Sequence, residues 1–138
     1  MSVLKSFFFF LFASAACSLP VLCLWVDISL FNLDAMATIC QTLSDKNDNL
    51  WTYTAEGGKN MEKGINFIYP YVVDKESWIY TKDVMYWDEW PVAHPFLIFG
   101  ALQTHNKNWQ STWEKLEHFP VTDEVVRNLP VRNPLIWI

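Results

Sequence analysis

The stretch "SLFNLDAMATICQTL", Ser29–Leu43, decides the fold class. Leu30, Leu33, Ala37, Cys40 and Leu43 recur at steps of three and four, which lines one face of a helix. Ser29 stands where an N-cap is expected, and Asp34 falls early enough to favour the dipole of that same helix. The polar run "SDKNDN" at 44–49 ends the helix, and Gly57-Gly58 breaks the chain before a second one. There Met61, Ile65, Ile68 and Val72 keep the helical period, with Pro70 expected to kink or end the last turn.

Further along, "PFLIFGAL" after Pro95 is apolar nearly all round, the pattern of a helix buried on every side. His94, preceding a proline, is biased away from helical backbone angles. A fourth helix carries Trp109, Trp113 and Leu116 on one face and ends before Pro120, with His118 in its last turn. His105 reads as a helix-end or loop residue. Thr122-Asp123-Glu124 caps a short helix running to about Leu129, and the tail "PVRNPLIWI" reads as extended. No segment calls for a sheet. The expected class is all-α, built from helix hairpins joined by aromatic loops, with an extended C-terminal tail.

On the other side of Ser29, "MSVLKSFFFFLFASAACSLP" has one early lysine, an apolar run and small residues near Ala15 and Ala16. That is the pattern of an export signal over 1–16, followed by a junction over 17–27 and a domain over 28–138. A periplasmic or secreted protein is expected, and contact with a membrane only if the signal stays uncleaved as an anchor. Cys17, Cys23 and Cys40 have no metal-ligand spacing; Cys40 on an apolar helix face reads as a buried thiol, a Cys23–Cys40 disulfide being the alternative.

The net charge of −5 argues against a nucleic-acid partner, and 51% hydrophobic residues argue for a packed core. No phosphate-cradling glycine loop, nucleophile elbow or metal signature is present, so no cofactor and no metal are expected. The concentrated chemical signal is 78–94, "WIYTKDVMYWDEWPVAH". Tyr86, Trp87, Trp90 and His94 are its candidate substrate contacts, because aromatic faces flanked by hydrogen-bonding groups suit stacking on sugar rings. Asp88 and Glu89 are adjacent and point apart, which does not suit a pair acting across a cleft.

"SLFNLDAMATICQTL", "LWTYTAEGGKNMEKGINFIYPYV", "DEWPVAHPFLIFGAL" and "RNLPVRNPLIWI", in that order, resemble the alginate lyase family of polysaccharide lyases over most of 28–138. The resemblance implies an α/α toroid, export from the cytoplasm, and β-elimination of an acidic polysaccharide, alginate or a related uronate polymer. That chemistry needs a cation or amide to neutralise the uronate carboxylate, a base for the C5 proton, and an acid for the departing oxygen. The family places an Asn-His pair well upstream of this region, and an Arg and a Tyr just before the first helix here. Ser29-Leu30-Phe31-Asn32 matches the family stretch, and its tyrosine position falls on Ile28, which cannot move a proton.

The resemblance therefore implies a C-terminal portion of an alginate-lyase-type protein, joined to an export signal, with no catalytic residues and no activity by itself. A partial toroid leaves an apolar flank for a complementary chain. The alternative is a non-catalytic uronate-binding module using 78–94. A third reading moves the chemistry to His94 as base, Tyr80 or Tyr86 as acid, and Arg127 or Arg132 at the carboxylate.

Overall fold

The computed structural model describes residues 26–80, 82 and 87–138. The proposed signal segment, Cys17, Cys23 and Tyr86 lie outside them. The first helix, α1, is Val26–Leu43, and α2 is Met61–Val73. Three more follow: α3 (Pro95–Thr104), α4 (Lys107–Trp113) and α5 (Asp123–Asn128), with short 3-10 turns between and after them. Among the described residues there is no strand, only an isolated bridge between Ala55 and Lys59. The all-α expectation holds. No helix of the described residues is long and apolar enough to cross a membrane.

Ser29 is not an N-cap, because α1 already runs through it from Val26. The polar loop after α1 satisfies its own backbone. Asp45 Oδ1 accepts from the amides of Asn47 and Asp48 at 2.7 and 2.8 Å, and those two bonds hold its carboxyl below the usual range. Gly57 and Gly58 take φ of 78° and 74°, backbone that side chains rarely allow, and so turn the chain towards α2. Asn60 then caps α2 by accepting from the Lys63 amide at 2.9 Å.

Met61, Ile65, Ile68 and Val72 are the buried face of α2, as their spacing predicts. Pro70 does not end the helix, which continues to Val73. Asn66 and Pro70 both lie on the exposed side, so the carbonyl deprived of its donor faces water.

α3 is the centre of the core, buried without interruption from Pro95 to Ala101. A Cβ on Gly100 would sit 2.7 Å from Ile65 Cδ1 and 3.3 Å from the Trp109 ring, so the glycine admits α2 and α4 to close contact. His105, at φ 56° and ψ 31°, closes α3 in left-handed geometry, and Asn106 caps α4 through the amides of Asn108 and Trp109. Tyr69 and Thr112 share a 2.9 Å hydroxyl bond that ties α2 to α4.

Two C-terminal expectations are corrected. α4 stops at Trp113, so His118 lies beyond the helix, with its ring edge-on to Trp113 at 4.4 Å. The tail is not extended: Pro134–Trp137 forms a 3-10 turn, and Gln41 of α1 donates to the Trp137 carbonyl at 2.9 Å. Cys40 is a free, buried thiol, and burial pushes its pKa up to about 12.

Candidate functional site: an aromatic cleft backed by a buried Asp–His pair

Of the four candidate contacts, the structure brings Trp87 and Trp90 to one narrow cleft, with room for about one water molecule. The facing wall is Leu30 of α1, with Tyr71, Val72 and Lys75 at the end of α2 and Pro91 beside the tryptophans. Trp87 is half-buried, whereas Trp90 is only 6% exposed. The Trp90–Pro91 peptide is cis. Lys75 Nζ donates to the carbonyls of Trp87 and Trp90 at 3.0 and 3.1 Å, which fixes this wall to the end of α2.

The ammonium of Lys75 lies 5.7 Å from the Trp87 ring centroid and that of Lys82 lies 5.1 Å from it. Lys82 also pairs with Glu76, whose carboxyl is held below its usual range by that bond and by the Trp87 indole N–H. Asp88 sits 3.8 Å from Lys75, while Glu89 turns away and accepts from the Thr122 hydroxyl at 2.6 Å. The two neighbouring carboxylates therefore serve different elements.

His94 does not face this cleft as a ligand contact. It is 0% exposed, and its ring stacks with Trp90 at 5.3 Å and with Phe96 at 5.5 Å. Its Nε2 accepts from the Val92 amide at 3.3 Å, so the ring proton sits on Nδ1. Nδ1 donates to Asp34 Oδ2 at 2.7 Å, and Asp34 is itself 1% exposed. The other oxygen, Oδ1, accepts from the Phe96 amide at 3.0 Å.

Phe96 is in the first turn of α3, where backbone N–H groups lack helical partners. Asp34 thus serves a helix dipole, but that of α3 rather than α1, from a position 60 residues away from His94. Sequence reading missed this role. The available signal was a carboxylate at position 34 within the apolar stripe of a helix, which demands a buried partner.

The relocated catalytic set is not assembled. His94 is sealed in the core, and Arg127 is held by Glu124 on its own helix. The same bond, with a second from Asn128, holds the Glu124 carboxyl below its usual range. Among the described residues no group of three or more His, Cys, Asp or Glu is placed to hold a metal.

No curated protein and no solved structure matches the chain. A family model described as alginate lyase does match, over residues 28–78, which is less than half of the 138-residue chain. That span runs from the first turns of α1 through α2 to Trp78, so it supplies Leu30, Tyr71, Val72 and Lys75 of the cleft and Asp34 of the buried pair. Residues 28–78 are thus similar to part of the alginate lyase family model.

Proposed function

We propose that this chain is a polysaccharide-lyase-related helical unit, exported from the cytoplasm, that engages a uronate polymer without cleaving it by itself. The supporting observation is the family match over 28–78. It opens on Ile28, a side chain with no proton to give or take at the position where the resemblance implies a tyrosine. Phe119, Val121, Leu135 and Ile136 are exposed apolar side chains that a complementary chain would cover.

Within this reading, Trp87 would meet a sugar ring, and Lys75 and Lys82 beside its indole would face the carboxylate. Glu76 and Asp88 nearly balance the two lysines. Ring stacking rather than net charge would then supply the affinity, and binding would be weak. His94 and Trp90 act behind that surface.

One experiment addresses cleavage and binding together. The chain is mixed with oligo-uronates while absorbance of the unsaturated product and tryptophan fluorescence are both recorded. The expected result is a saturable fluorescence change at millimolar ligand with no rise in absorbance. A rise would show that the chain cleaves, and a flat fluorescence trace would remove the cleft as a binding surface.

A further inference from the structure

The cleft has two walls that belong to distant parts of the chain. One is Leu30 on α1 together with Tyr71, Val72 and Lys75 at and just after the end of α2; the other is Trp87, Trp90 and Pro91. Asp34 lies one helical turn after Leu30, and both side chains are 1% exposed, so they point from the same face of α1. His94 lies just beyond the second wall and stacks on Trp90. The 2.7 Å bond between Asp34 and His94 therefore joins α1 to the segment that follows the second wall.

We propose that Asp34 and His94 are positioning residues that latch the Trp87–Pro91 wall against α1 and so set the width of the cleft. Neither side chain would touch a ligand. Their bonding is directional: Val92 donates to the ring, the ring donates to Asp34, and Asp34 also accepts from Phe96. Each ring nitrogen has one partner and one role, so the ring cannot shift without breaking a buried bond. Lys75 holds the wall from the side of α2, and Glu89 ties it to Thr122. The Asp34–His94 bond connects it to α1. The proposal rests on the cleft described above as the place of binding, but its test needs no ligand.

Asp34→Asn isolates the latch. The amide oxygen can still accept from Phe96, which preserves the start of α3. The amide nitrogen then faces Nδ1, and accepting from it forces the ring proton onto Nε2, against the Val92 N–H. One bond at His94 is lost in either tautomer. His94→Asn tests the other side, since its amide can still donate to Asp34 while the acceptor for Val92 and the stacked ring are gone.

Hydrogen exchange of the full chain reads the result at the amides of Val92, Ala93 and His94, which are bonded in the native state to His94 Nε2, Glu117 and Val92. In both variants these amides should exchange at least tenfold faster than in the unmodified chain and approach unfolded-chain rates, while α2 amides stay protected. Unchanged exchange at 92–94 would overturn the proposal. Loss of α2 protection along with it, or failure of both variants to fold, would overturn it equally, because the pair would then support the whole core rather than one wall. A flat fluorescence titration in the binding experiment would leave these exchange outcomes unaffected, so the two readings can fail separately.

Discussion

Asp34→Ala should lower the free energy of unfolding by about 3–5 kcal/mol, measured by guanidine denaturation. The substitution leaves the Phe96 amide and the His94 Nδ1–H without an acceptor, both in the interior. Each stranded donor costs about 1–3 kcal/mol, and the empty volume adds to that. Water cannot easily replace the carboxylate, since Asp34 is 1% and His94 0% exposed. Domains of this kind are stable by about 5–15 kcal/mol in total, so the loss is a large share. Asp34→Asn, which keeps the bond to Phe96, should cost clearly less. An Asp34→Ala chain within about 0.5 kcal/mol of the unmodified one would show that the pair is not formed.

Trp109→Ala should cost a similar amount, about 3–5 kcal/mol, and lower the melting temperature by more than about 10 °C. Trp109 is the largest of the fully buried side chains, at 1% exposure, and its ring lies against Gly100 where α3 meets α4. Collapse into the vacated space is restrained on three sides. Asn106 caps the start of α4, the Tyr69–Thr112 bond ties α4 to α2, and the Trp113 indole donates to the Ala93 carbonyl at 3.2 Å. A cavity that cannot close carries the upper part of the usual cost. Gly100 has the complementary sensitivity: any larger residue there must push Ile65 or Trp109 aside. A melting temperature unchanged by Trp109→Ala would contradict the packing of α3 between α2 and α4.

Features set by local spacing were legible in the sequence. The α2 stripe from Met61 to Val72, the all-round burial of α3 and the glycine break at 57–58 follow from periodicity and backbone sterics alone. Features set by distant partners were not. Asp34 looked like an ordinary early acid of its own helix, because nothing near it in sequence announces the N-terminus of α3. His94 and Trp90 sit in a segment rich in charges and aromatics, which reads as an exposed loop. Asp34 of α1 bonds His94, whose ring is stacked between Trp90 and Phe96 of α3. Pro134–Trp137 read as extended because Pro130 and Pro134 mask a turn that forms against α1 and α3.

The resemblance read from the motifs covers most of 28–138, and the family match covers 28–78 of it, on α1 and α2. Packing then joins that region to the rest of the described chain. Asp34 caps α3, Ile65 meets Gly100, and Tyr69 reaches α4, so the matched and unmatched parts share one hydrophobic core.

That shared core is most directly tested by equilibrium unfolding of the unmodified chain in guanidine, followed at once by far-UV circular dichroism and by tryptophan fluorescence. Helix content is weighted towards α1 and α2, whereas five of the eight tryptophans (Trp87, Trp90, Trp109, Trp113 and Trp137) lie beyond residue 78 and weight the fluorescence towards the remainder. A single transition with coincident midpoints for both signals is expected. Two separated transitions, with fluorescence changing while the helical signal persists, would contradict a core common to the lyase-like region and the aromatic half.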